Sequence, residues 1–137
     1  MINSKFYEAL EVVVYIAIYS GGKAVSSSEI CKYKNVAPRY LENLLKLLSK
    51  YNIIKGTTGP KGGYILAREK RKITLLEIAE IFKNSNIRHE NNILASLKNN
   101  VESHLDQLLV GITLEEICKQ AEPLLLGQFK TKPDFNI

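Results

Sequence analysis

From Phe6 to Tyr19 apolar side chains fall on nearly every side of a helix, and Glu8 and Glu11 are its only charges. A helix of that kind must be covered on more than one face, so it is central to its domain or covered by a partner. Ser20-Gly21-Gly22 ends it. Ser26 to Glu29 then read Ser-x-x-Glu, a capping box that satisfies two otherwise unpaired amide donors and opens a short helix from Ser27 to about Lys34. A turn over residues 34–37 follows. Pro38 suits the first position of the next helix, where its missing amide hydrogen costs nothing.

That helix, Pro38 to about Lys50, has two distinct faces. Leu41, Leu44, Leu45 and Leu48 recur at spacings of three and four on one of them, while Arg39, Glu42, Asn43, Lys46 and Lys50 share the other. A short helix, a tight turn and a second helix with a polar, net-basic outer face make a helix-turn-helix, whose second helix enters the DNA major groove. Next, Ile53-Ile54-Lys55 and Tyr64-Ile65-Leu66 are short β-type runs joined by the glycine-rich stretch Gly56 to Gly63, which predicts a hairpin. Helix-turn-helix plus hairpin is a winged helix.

Two later stretches, beginning at Ile73 and Ile112, carry nearly the same phrase, Ile-Thr-Leu-x-Glu-Ile, each with a Thr-x-x-Glu box. They mark two helix starts; a repeat array would need three or more units. Between them Leu94, Leu97, Val101, Leu105, Leu108 and Ile112 step by three and four along one long helix. Three packed helices and a hairpin do not need that stripe, so pairing with a second copy is its economical use, and a homodimer is expected. The fold class is therefore mainly α with a small β-hairpin wing. Residues 1–82 form the winged helix-turn-helix, 83–122 the dimerisation helix and a closing helix, and 123–137, with two prolines, a glycine and scattered lysines, a weakly ordered tail.

The chain has 137 residues, 45% of them apolar, enough for one core of useful size. With 24% charged residues this is an ordinary globular mixture and not a disordered or collagenous one. The net charge of +5 is unevenly placed: residues 1–73 hold 13 bases and 5 acids, residues 74–137 hold 6 and 9. The basic excess thus accompanies the winged helix, as a nucleic-acid partner requires. The charge-free stretch Val12 to Gly22 is shorter than the roughly 20 residues of a membrane span. Glu8 and Glu11 also spoil it as a secretory signal, so the cytoplasm is expected. Cys31 and Cys118 are too few and too far apart for a disulfide framework.

On the DNA-binding reading Arg39, Glu42 and Asn43 face base edges. Arg suits guanine, Asn suits adenine and Glu accepts from cytosine. Lys46, Lys50 and the helix start at Ser26 to Ser28 hold phosphates, and Tyr40, at the border of the two faces, contacts backbone or closes the core. The wing brings Lys55, Thr58, Gly59, Pro60, Lys61 and Gly62, its lysines adding charge near the DNA backbone. Neither Gly-x-x-x-x-Gly-Lys-Ser/Thr nor Gly-x-Gly-x-x-Gly fits the loop, which joins two strands and not a strand to a helix. His89 and His104 with Glu90, Glu102 and Asp106 match no recognised metal-ligand spacing. No nucleophile–base–acid arrangement stands out, and no enzyme is expected.

Several of these segments resemble a known family: Tyr7 to Leu10 (Tyr-Glu-Ala-Leu), Ser28 to Cys31 (Ser-Glu-Ile-Cys), Tyr40 to Leu45 (Tyr-Leu-Glu-Asn-Leu-Leu), Gly59 to Tyr64 (Gly-Pro-Lys-Gly-Gly-Tyr) and Ile73 to Ile78 (Ile-Thr-Leu-Leu-Glu-Ile). Over about residues 1–121 the chain is similar to the Rrf-two (Rrf2) family of bacterial winged-helix transcription regulators. The resemblance implies a dimeric, sequence-specific regulator of pseudo-palindromic operators, with the long helix near residues 91–110 crossing its partner. Members that hold an iron–sulfur cluster supply cysteines from the loop before that helix. Here the loop, about Lys83 to Asn92, has none, so the resemblance is to a member without a cluster, and no cofactor is expected. Thr58 stands where many relatives carry a basic residue before Gly-Pro.

The reading is a transcription regulator, a repressor in its simplest form, with double-stranded DNA and its own copy as partners, no membrane, and an effector the sequence does not name. Two alternatives stay open. One is a winged-helix adaptor that has lost DNA recognition, favoured by Thr58; the other is a thiol-based redox regulator using Cys31, against which stands the commoner fate of a helical cysteine as a small core residue.

Overall fold

A computed structural model describes residues 2–83 and 93–131, the latter without side chains beyond Leu125. Its elements in order are α1 (Ser4–Tyr19), α2 (Ser27–Lys34), α3 (Pro38–Lys50), β1 (Ile54–Thr57), β2 (Gly63–Leu66), a 3-10 turn (Lys70–Lys72), α4 (Leu75–Ile81), α5 (Ile93–Val110) and α6 (Leu114–Thr131). The architecture is mainly helical with one two-stranded antiparallel hairpin, as the pattern of the chain requires.

The all-round apolar α1 is the axis of the core. It buries Phe6, Ala9, Val12, Val13, Val14, Tyr15 and Ile16 and packs against α6, α4 and the wing strand β2. Three of its hydrophilic ties run to α2. Tyr33 on α2 donates its hydroxyl to Glu11 at 3.0 Å, Lys34 pairs with the same carboxylate, and Tyr15 donates to Glu29 at 2.9 Å. Glu29 therefore serves Tyr15, and the Ser26 box is only half closed: Ser26 Oγ accepts the Glu29 amide at 3.1 Å. At Thr74 the box is complete.

The two similar phrases do more than start helices. Thr74 and Thr113 form an antiparallel bridge; Leu75 donates its amide to the Ile112 carbonyl at 3.0 Å, and Leu114 to that of Ile73 at 2.8 Å. The starts of α4 and α6 are thus held together by a short piece of sheet. α6 also continues to Thr131 through Pro123, past the point where the proline content predicts the tail to begin. A proline removes one intrahelical hydrogen bond and is tolerated where neighbouring packing holds the turn; here Leu125, two residues on, is buried. Residues 132–137 lie outside the described residues, as do 84–92, which include His89, Glu90 and most of the segment between α4 and α5.

Candidate nucleic-acid interface

α3 sorts its side chains as its periodicity predicts. Leu41, Leu44, Leu45 and Leu48 are buried, while Arg39, Glu42, Asn43, Lys46 and Lys50 are exposed. α2 leads into it through Asn35 in the left-handed region at φ 54°, a conformation Asn tolerates and the turn needs. Pro38 occupies the start of α3, and its N-cap, Ala37, offers no side chain to the free amides. Lys50 Nζ lies 5.9 Å from the centroid of the Tyr51 ring, so its stem is drawn along the end of the helix.

The wing is fixed to the helix-turn-helix by backbone. β1 and β2 pair from Ile54 with Leu66 to Thr57 with Gly63. Val25, just before the Ser26 cap, exchanges two hydrogen bonds with Tyr64, at 2.9 and 2.8 Å, adding a third edge to the hairpin. This contact sets Gly63, and the turn of the wing itself sets Gly62. A Cβ on Gly63 would stand 2.5 Å from the Val25 carbonyl oxygen, and one on Gly62 would stand 2.6 Å from that of Thr57, where no side chain fits. Gly59 turns the tip at φ 101°. The hairpin so placed leaves Lys55, Thr58, Gly59, Pro60 and Lys61 exposed and Gly62 half-buried. Ser28 is exposed beside the half-buried Ser26.

Not all the positive charge of residues 1–73 belongs to this face. Arg68 bonds the Asn52 carbonyl at 3.2 Å, the Lys72 carbonyl at 3.3 Å and Glu77 at 2.8 Å, tying the wing to α4. Arg71 pairs with Glu69 at 2.6 Å, and Lys34 with Glu11. Arg39, Lys46, Lys50, Lys55 and Lys61 are the exposed cations of α3 and the wing. Tyr40 is 41% exposed and donates its hydroxyl to Glu8 of α1. That bond, with burial second, pushes the phenol up to about 12. Nothing local in the sequence reveals this pair, because its members are 32 residues apart.

α5 presents the opposite picture. Leu94, Leu97, Val101 and Leu108 are 56, 56, 57 and 65% exposed; Leu105 is half-buried, and only Leu109 is buried. Lys83 holds Asp106 at 3.0 Å, joining the end of α4 to this helix. Ile112 falls beyond the helix end and packs against the core of its own chain.

The cysteines stand apart, Cys31 half-buried on α2 and Cys118 buried on α6, where burial pushes the thiol up. Among the described residues no three His, Cys, Asp or Glu side chains converge on a common point. Iron–sulfur irons are held chiefly by thiolates. Two cysteines on separate helices, with none in the segment between α4 and α5, do not fit such a cluster. No helix among the described residues is long and apolar enough to cross a membrane.

Comparison with known proteins agrees with this architecture. The family Rrf2, described as iron-dependent transcriptional regulator, matches residues 2–120. The HTH-type transcriptional regulator IscR of Sodalis glossinidius is 31% identical over 74 residues, which are 54% of this chain and 45% of that protein. The chain spans about half the length of the curated relatives it matches first. Among solved structures, IscR of T. potens superposes with a TM-score of 0.75 at 28% identity over 88% of both chains. CymR, the global cysteine regulator of B. subtilis, has a TM-score of 0.72 at 23% identity, covering 88% of this chain and 97% of its own, and bears on the fold alone.

Proposed function

The chain belongs to the Rrf2 family of transcriptional regulators, and we propose that it acts as a homodimer that reads a pseudo-palindromic operator in double-stranded DNA and represses by occupying it. The observation that carries this reading is the pairing of two unlike exposed faces: the polar, basic face of α3 beside the wing, and the apolar face of α5. Arg39, Glu42 and Asn43 read base edges. Lys46, Lys50, Lys55 and Lys61, with the α2 start at Ser26 and Ser28, hold phosphates, and Thr58 to Gly62 form the wing tip against the backbone. Leu94, Leu97, Val101, Leu105 and Leu108 meet the same residues of a second copy, which sets the spacing of two half-sites. Regulators of this family are not enzymes, and nothing in the chain's chemistry asks for catalysis. A regulator of this kind works in the cytoplasm.

The test is selection of duplexes from a randomised library, followed by titration of the enriched duplex. Enrichment of a two-fold symmetric sequence is expected, with affinity falling at least tenfold between about 50 and 200 mM salt as neutralised phosphates recover their counterions. Affinity that is flat across that range, or a library without enrichment, overturns the reading and leaves the adaptor in its place.

A further inference from the structure

Five helices of this chain have a described N-terminus, and four of them are capped by a side chain. Asn3 accepts the Phe6 amide at 3.0 Å, Ser26 that of Glu29 at 3.1 Å, Thr74 that of Glu77 at 3.4 Å and Thr113 that of Glu116 at 3.3 Å. The exception is α3, the helix on which the proposed base-reading side chains stand, where Ala37 caps nothing. An uncapped first turn frays, and a cap is worth about as much as one good hydrogen bond. Yet Arg39 stands in that turn and Glu42 directly after it, so its position decides where they point. Leu41 buries the inner side of that turn in the core, and among the described residues the long-range side-chain hydrogen bond on it is that from Tyr40, the third residue of α3, to Glu8 of α1.

We propose that Glu8 is a positioning residue of the reading helix: by accepting the Tyr40 hydroxyl it clamps the first turn of α3 to the core helix and takes the place of the missing N-cap. α1 is suited to this task. It is buried against α4, α6 and β2, so a carboxylate on its second turn is a fixed point, and the charge-assisted hydrogen bond is directional. Glu11, one turn on, holds α2 in the same way through Tyr33 and Lys34. The two carboxylates together orient both helices of the helix-turn-helix.

The inference rests on the DNA-reading role above, and the experiment separates the two. The probes are the duplex enriched from a random library by the wild-type protein and a scrambled duplex of equal length. Glu8→Ala and Tyr40→Phe are each expected to lower the ratio of the two affinities by about three- to tenfold, the size of one lost cap or charged hydrogen bond, with scrambled-DNA binding and helix content unchanged. The double variant should be no worse than either single one. Glu8→Gln, which keeps a carbonyl acceptor, should recover most of the ratio. Ala37→Ser, which gives α3 an ordinary cap, should restore it in the Glu8→Ala background. Loss in Tyr40→Phe without loss in Glu8→Ala would mean that the hydroxyl touches DNA itself. Ala37→Ser that weakens binding on its own and rescues nothing would mean that the open amides receive a phosphate. Either outcome overturns the clamp while leaving the regulator in place. A library without enrichment removes the DNA reading and the clamp together.

Discussion

α3 and α5 carry the same kind of apolar stripe, with side chains three and four apart, and meet opposite fates. The four leucines of α3 are buried because α2, α4 and β1 of the same chain lie against them. The stripe of α5 leans on α4 and leaves Leu94, Leu97, Val101 and Leu108 more than half exposed. Periodicity states that a face needs a cover; only the neighbours decide whether the chain supplies it. An exposed run of large aliphatic side chains on one helix is unusual for a monomer and is the mark of an association surface.

The sharpest way to break this contrast is to substitute the apolar stripe of each helix in turn. Leu45→Ala removes side-chain volume from a fully buried site and should cost about 2–5 kcal/mol, lowering the thermal midpoint at every protein concentration. The pair Leu97→Glu and Val101→Glu should leave each protomer folded and raise the dimer dissociation constant at least about 100-fold in sedimentation equilibrium, because charge is forced into an apolar contact. It should also abolish the concentration dependence of the midpoint that a dimer shows. A wild-type chain that sediments as a monomer at tens of micromolar would end the comparison.

Gly63→Ala comes next. Its Cβ would stand 2.5 Å from the Val25 oxygen, so the wing must move away from the start of α2 at a cost of about 1–3 kcal/mol. DNA affinity should drop while self-association through α5 does not. Within the interface, Asn43→Ala should relax base preference at one position by about 1–3 kcal/mol, whereas Lys61→Ala should weaken all duplexes alike and reduce the salt slope by about one. Equal losses on selected and scrambled DNA for both variants would erase the division between reading and holding.

The smallest effect concerns pH. Burial works against the charge of Glu77, but the Thr74 amide and the Arg68 guanidinium outweigh it and hold the carboxyl below its usual range. A carboxyl lowered in the folded state stabilises above the ordinary value near ~4.3 and loses that contribution as pH falls through the lowered one. The denaturant midpoint should therefore decline more steeply between about pH 5 and pH 3 in the wild type than in Glu77→Gln, which lacks the titrating group. Parallel declines would show that the Thr74 box and the Arg68 tie contribute nothing through charge.

Local chemistry made much of this molecule legible. The capping residues Ser26 and Thr74, Pro38 at the start of α3, the leucine face of that helix and the glycine-rich hairpin are all short-range signals, and each stands where its pattern places it. The net basic charge was legible only in part: Arg68 and Arg71 count toward it in the sequence, yet in the fold they pair with Glu77 and Glu69. The prolines, glycine and lysines beyond residue 122 read as a tail, yet α6 runs through Pro123 to Thr131.

Side-chain spacing and cap chemistry act over a few residues, so the sequence alone determined the elements, the face each must hide and the absence of cysteines from the segment before α5. Tertiary structure decided what meets across long separations. Val25 adds an edge to the wing, Thr74 pairs with Thr113, Arg68 is spent on α4 and Glu8 takes the hydroxyl of Tyr40. Each of these joins residues brought near only when the apolar surfaces of α1, α3 and α4 are buried together, and no local preference encodes that meeting.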